Sequence, residues 1–351
     1  MEEFIAFDSH KRYTLMERED IKTGKTTQLR IEHAQGAILN SLLGREPGTP
    51  VAVEATGNWY WIVDEIERAN LEPRLVHPRK AKLMMGMINK TDKLDVHGLN
   101  RLQRNETLPT VWIPPRDLRD QREITRGRMV MTGYRTRLKN RIQSTLSKYG
   151  WAGTDASDPY GKKGRVGLME GIQQLPPETS QMTAAFLKQL DFVQGQIAET
   201  EGRIRRLVRD TAEMELLRTL PGIGWILSAV VALEIGEIGR FESAERYASY
   251  AGTTPRVHAS GDKIRYGRLR PDVNRFLKWA YVEAAHSVCL QKKTFPLRHV
   301  SRLYERIRKR KGHPTAIGAV ARHLAEASFH VLSRGEPYRD PALKEGRSRE
   351  V

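Results

Sequence analysis

At 351 residues, 39% hydrophobic and 29% charged, the chain is long enough to bury a core in two or three domains, and no apolar run nears the ~20 residues a bilayer demands. A single cysteine, Cys289, excludes a disulfide framework and a cysteine-rich zinc site, and the acidic start MEEFIAFD is no secretory signal, so the cytoplasm is the expected compartment. The net charge of +17 points to a polyanionic partner, of which nucleic acid is the commonest.

The first hundred residues interleave strands and helices. FIAFD reads as a short apolar strand, with YTLMERE and TTQLRIE pairing beside it as a meander; a helical stretch at Gln35–Leu43 follows. VAVEATG reads as a buried strand running into a turn, then come a helix over Asn58–Asn70, the strand PRLVHP and the helix LDVHGLNRLQRN. The pattern predicts an α/β layer fold.

The middle is helical. Residues 116–149 form one long polar helix with Ile124, Met131, Leu138, Ile142 and Leu146 spaced by sevens and fours. A Gly, Asp and Pro-rich loop over Gly150–Pro177 interrupts it. A second helix then carries Phe186, Leu190, Val193, Ile197, Ile204 and Val208 near a heptad seam, which fits an antiparallel coiled-coil arm, a dimerisation element or packing within one domain. Beyond Ala212, LLRTLPGIGWILSAVVALEIG reads as helix, tight turn, helix, and a short helix ends at Gly252. TTPRVHASGDKIRYGRLRP reads as a turn-rich basic loop, ahead of helices near Asp272–Leu290, Leu297–Lys311 and Pro314–Leu332.

Three constellations carry chemistry. Asp8 and Glu54 end apolar strands, and Asp92 and Asp95 sit three apart at a helix start, so both lie on one helical face, with Asp92 suited to the N-cap. Strand ends and helix starts converge on one sheet edge, where four carboxylates would suit Mg²⁺ or Mn²⁺. Singly, each acid reads as well as a cap or a surface charge. In LPGIG, Gly222 and Gly224 would let backbone N–H groups approach a phosphate, as in a helix-hairpin-helix, although a plain turn reads the same. In the basic loop, Ser260 stands among Arg256, Lys263, Arg265 and Arg268, cations able to steady a scissile phosphate; alone, a Ser-Gly pair is a turn. Residues 260–310 hold 14 Lys and Arg against 4 Asp and Glu, and Arg306, Arg308, Lys309 and Arg310 crowd one helix end as further phosphate contacts.

In their order and spacing, FIAFD, VAVEATG, KTDKLDVHGL, LPGIG and AGTTP…SG resemble the DEDD-type insertion-sequence transposases of family one-hundred-and-ten, relatives of the Piv DNA invertases. The resemblance spans roughly Ile5 to Tyr338. It implies a RuvC-like, ribonuclease-H-like domain over 1–115, a coiled-coil linker over 116–210, a helical transposase domain with a helix-hairpin-helix over 211–340, and a flexible tail over 341–351. It also implies that Asp8, Glu54, Asp92 and Asp95 bind Mg²⁺ or Mn²⁺ and that Ser260 forms a 5′-phosphoserine link to DNA. The implied partners are target and donor DNA, a structured guide RNA (the bridge RNA) and further copies of the chain, in a prokaryotic nucleoid. Two positions depart from the pattern, Thr253 where leucine is usual and Val96 where alanine often stands; neither is a reacting group.

Other readings remain open. A RuvC-type structure-specific nuclease would cut with metal-activated water and leave Ser260 as a turn residue. A non-catalytic nucleic-acid-binding protein would use the acids only as caps.

Overall fold

The alternating apolar patterns of the first hundred residues produce one sheet with both faces covered. The computed structural model describes residues 3–86, 91–260, 263–269 and 273–341; at 258–260, 263, 264, 266 and 268 the description stops at the backbone. The chain divides into two units at Pro114 and Pro115. Thirteen helices and seven strands lie among the described residues, and none of those helices is long and apolar enough to cross a membrane.

In the first unit, β1 (Glu3–Ser9), β2 (Tyr13–Asp20) and β3 (Thr26–Glu32) form an antiparallel meander. After α1 (Ala37–Leu42), β4 (Pro50–Glu54) enters parallel to β1. After α2 (Trp59–Arg68), β5 (Glu72–Val76) pairs parallel to β4, giving the order β3-β2-β1-β4-β5. Two helices complete the unit, α3 (Pro78–Met85), which the sequence pattern missed, and α4 (Asp92–Arg104).

Residue alternation decides which helix covers which face. Ile5, Phe7, Val51 and Val53 pack with Ile38 and Leu42 of α1 and Ile62, Val63 and Ile66 of α2. Ala6 and Ala52 face the other way, against Val96 and Leu99 of α4. Alanines on that face leave room for α4, and Val96 fills the space as a fully buried core residue. Thr91, not Asp92, caps α4: its hydroxyl accepts from the Leu94 amide at 3.3 Å. Asp92 is thereby the first helical residue, free to turn towards the sheet edge.

In the second unit, α5 (Arg116–Lys148) and α7 (Pro177–Leu207) run antiparallel. Ile142 and Leu146 near the end of α5 pack with Leu187 and Leu190 early in α7, while Arg128 binds Glu201 at 2.6 Å near the other end. The Gly150–Pro177 segment is not wholly loop. It contains α6 (Arg165–Gln173), whose Leu168 and Ile172 join the same cluster, and Gly171 lets the Trp151 indole lie directly on the helix. Two glycines in nine residues hid this helix from sequence reading.

Then come α8 (Ala212–Arg218), α9 (Trp225–Ile235), a 3₁₀ turn at Ile238–Arg240 and α10 (Ala244–Tyr250). The expected basic loop is instead a β-hairpin, β6 (Pro255–Ser260) and β7 (Lys263–Leu269), paired antiparallel. Val257 and Ala259 alternate against Ile264 and Tyr266, a period of two that the loop-forming Ser-Gly-Asp obscured. Helices α11 (Arg275–Gln291), α12 (His299–Lys311) and α13 (His313–Arg334) close the unit around Leu277, Tyr281, Val320 and Leu324.

A buried polar knot joins α5, α9 and the start of α11. Arg122 of α5 donates to the carbonyls of Leu233 and Glu234 at 2.8 and 3.0 Å, satisfying orphan acceptors at the end of α9. The fully buried Glu234 carboxylate accepts from Arg126 at 2.7 Å and from Asn274 at 2.8 Å, while Asn274 caps α11. Every charge there has a partner, as burial requires.

Candidate functional site

Asp8 is the last residue of β1 on the face that α4 covers and is 9% exposed. Its backbone continues into a tight connection to β2, closed by the His10 amide donating to the Tyr13 carbonyl at 2.9 Å. Asn58, just before α2, donates its side-chain amide to the His10 carbonyl at 2.9 Å, so the turns after β1 and β4 are tied together. His10 lies against the Tyr13 ring, with centroids 4.6 Å apart, and its Nε2 sits 3.2 Å from Asp8 Oδ2 and 3.2 Å from Asp92 Oδ2. The Tyr13 hydroxyl donates to that same Asp92 oxygen at 2.8 Å, with the Arg30 guanidinium over the Tyr13 ring.

The structure thus brings Asp8 and Asp92 together and places His10 between them, with one ligand atom from each lying within 4.8 Å of the others. Glu54 and Asp95 stand outside that set. Phe7 pairs with Val53, so Glu54 lies one register step on, at the end of the strand beside Asp8. Asp95, one helical turn after Asp92, is partly buried, whereas Lys93 and Leu94 between them are exposed. Burial above all lifts the Asp8 carboxyl above its ordinary range; His10 opposes the rise, and the charges of Asp92 and Asp95 add to it. The hydrogen bond to Asp92 raises the Tyr13 phenol in turn. Such a pocket resists further negative charge and welcomes a cation. Carboxylate oxygens are donors that suit Mg²⁺ or Mn²⁺, and an imidazole nitrogen beside them is one that Mn²⁺ also accepts.

His10 and Tyr13 escaped sequence reading. The available signal was local: His10 follows Asp8 by two, so both can project to one side at a strand end.

In the second unit, Ser260 is the last residue of β6, directly opposite Lys263 in the pairing. Its side chain, and those of Lys263 and Arg268, lie outside the described residues, as do Gly261 and Asp262. Arg256 and Arg265 are exposed on the hairpin, and Arg306, Arg308, Lys309 and Arg310 are exposed along α12, where Arg308 pairs with Glu305 at 3.3 Å. Thr253 is buried at the foot of the hairpin, and its hydroxyl donates to the Ala248 carbonyl at 3.0 Å, which explains how a polar residue is accommodated there.

The turn between α8 and α9 needs Gly222. Its φ of +82° lies in the left-handed region, and a Cβ would collide with the Ala284 carbonyl of α11. Gly224 is different: its side-chain position is open, and it precedes α9 without a side-chain cap. Both line a cleft with Arg218, Gln291, Arg298 and Tyr338.

Residues 214–299, from α8 through the hairpin to the start of α12, match the family model described as the transposase IS116/IS110/IS902 family. Over most of its length the chain is similar to a probable family 20 transposase of Pseudomonas aeruginosa, 25% identical across 84% of this chain and 86% of that one. It is also 21% identical to the transposase for insertion sequence element IS1111A of Coxiella burnetii, across 82% of this chain and 79% of that one. The pilin gene-inverting protein of Moraxella bovis is 25% identical across 82% of this chain and 80% of its own. The match to the family model thus covers residues 214–299, and the similarity to individual transposases and to the gene-inverting protein extends over more than four fifths of the chain, reaching into both units.

Proposed function

We propose that the chain is the recombinase of an insertion sequence, cutting and rejoining DNA through a 5′-phosphoserine on Ser260 and a divalent-metal site of Asp8, Glu54, Asp92 and Asp95. The observation that carries this is the meeting of Asp8 and Asp92, from a strand end and a helix start far apart in sequence, in a chain similar to transposases and to a gene-inverting protein. A meander continued by parallel strands, with the acids at the parallel strand ends, supports a RuvC-like, ribonuclease-H-like first domain. The tight turn at Gly222 supports a helix-hairpin-helix. The remaining domain limits follow the resemblance: a linker of long helices to 210, a transposase domain to 340 and a tail beyond.

In this reading Asp8, Glu54, Asp92 and Asp95 would hold a Mg²⁺ or Mn²⁺, which would supply Lewis-acid stabilisation of the attacking and leaving oxygens. Ser260 Oγ attacks the phosphorus and loses its proton to a carboxylate; the 3′ oxygen leaves, takes up a proton, and the 5′ phosphate stays on serine. Attack by another 3′-hydroxyl reverses these steps on a new partner strand, so one phosphoester is exchanged for another without a nucleotide cofactor. Arg256, Lys263, Arg265 and Arg268 steady the phosphate charge, and the cations of α12 hold flanking DNA or the guide RNA. Target choice belongs to a noncoding RNA pairing with target and donor DNA, and exchange between two duplexes calls for at least two subunits.

The test is strand exchange between donor and target plasmids with Mg²⁺ and the RNA encoded beside the gene. Asp8→Ala and Glu54→Ala should abolish exchange while unfolding free energy changes by about 1 kcal/mol or less, because the Asp8 carboxyl is held at a desolvation cost and Glu54 is half-buried at a strand end. Exchange by Asp8→Ala at the wild-type rate would remove the metal site from the account.

A further inference from the structure

The imidazole of His10 belongs to none of the roles above, yet it occupies the centre of the acidic edge. Its Nε2 is equally far, 3.2 Å, from one oxygen of Asp8 and one of Asp92. Donors on adjacent corners of a six-coordinate cation, each ~2.1 Å from it, stand about 3 Å apart. The two distances from Nε2 therefore match the spacing of neighbouring donors in such a shell, and all three atoms lie within 4.8 Å of one another. The ring is also held: it lies on Tyr13, its amide is bonded to Tyr13, and its carbonyl is bonded to Asn58. Tyr13 fixes the Asp92 oxygen in the same way, through its hydroxyl. A side chain left to solvent at the end of a strand would have no need of these restraints.

We propose that His10 is a nitrogen ligand of the cation held at this edge, together with Asp8 and Asp92. This rests on the metal-site reading above and adds a consequence to it. A site of oxygens alone accepts Mg²⁺ readily, whereas one imidazole donor shifts preference towards Mn²⁺ and other transition ions. Tyr13 is then a positioning residue, acting through Asp92 and His10 and not on the cation.

The test uses the full chain and Mn²⁺ alone, without DNA or RNA. Binding is followed by titration, and the bound ion is examined by electron spin echo envelope modulation, which detects a directly coordinated ¹⁴N. Wild-type protein should show ¹⁴N modulation from one imidazole. His10→Gln should lose it, bind Mn²⁺ roughly tenfold more weakly, and keep its circular dichroism and melting profile. Two results overturn the ligand assignment while leaving the metal site intact: a wild-type spectrum without ¹⁴N modulation, or modulation that persists in His10→Gln. If Mn²⁺ does not bind the wild-type chain, or binds Asp8→Asn equally well, the metal-site reading itself fails and the inference goes with it.

Discussion

Tyr13 shows how one side chain can shape a site without reacting in it. Its ring supports His10 and its hydroxyl orients Asp92, so two potential ligands share one scaffold, itself covered by Arg30. A second histidine works differently. His323, on α13, is pushed down to about 4 by burial first and then by the neighbouring His299, with Asp340 opposing. Its ring faces His299 at 4.7 Å, and its Nε2 meets the Tyr338 hydroxyl at 3.3 Å. The folded chain therefore resists a proton that the unfolded chain accepts near pH 6.5. The stability that neutral His323 contributes is complete above about pH 6.5 and is lost as the pH falls towards about 4, to the extent of about 3 kcal/mol. Denaturant unfolding at pH 7 and pH 4.5 should show His323→Gln losing less stability than wild type. Equal losses would mean that His323 protonates in the folded state as freely as in the unfolded one.

Among the elements, the two long helices illustrate what spacing reveals and what it leaves open. The periodicity correctly marks Leu190, Ile197, Ile204 and Val208 as an inward seam, but the choice between an interface and internal packing depends on what lies opposite. Leu190 is fully buried in a cluster with Ile142 and Leu146 of the same chain, so the seam is internal there. Phe186, expected on the seam, is only partly buried, and Leu187 takes the inward place. Leu190→Ala should then cost about 2–4 kcal/mol through the cavity it leaves, measured by urea unfolding, with subunit number unchanged in sedimentation. Normal stability with loss of assembly would return the seam to an interface role. Elsewhere the strands and most helices of the first unit were legible because alternation and 3.6-residue periods are strong there. Helix α6 was hidden by its glycines, and the β6–β7 hairpin by a turn sequence that drew attention from the alternation around it.

At the scale of the whole molecule, charge and chemistry are divided between two units. The first gathers acids at one sheet edge; the second carries the exposed basic residues of the hairpin and of α12. The placement of Asp8, Glu54, Asp92 and Asp95 at strand ends and a helix start could be read from local pattern, because those positions follow from where apolar runs stop. The part played by His10 could not, since only folding puts its ring between two carboxylates that are distant in sequence. Ser260 is the reverse case: resemblance alone singled it out, and the fold adds that it closes a strand opposite Lys263. The central claim therefore turns on that serine. Full-length protein is incubated with Mg²⁺, guide RNA and end-labelled DNA, denatured, and examined for label that migrates with protein. The account predicts a covalent adduct that peptide mapping places on Ser260, absent in Ser260→Ala although that variant still binds DNA. Cleavage to free 5′-phosphate ends without an adduct, or normal recombination by Ser260→Ala, would contradict it.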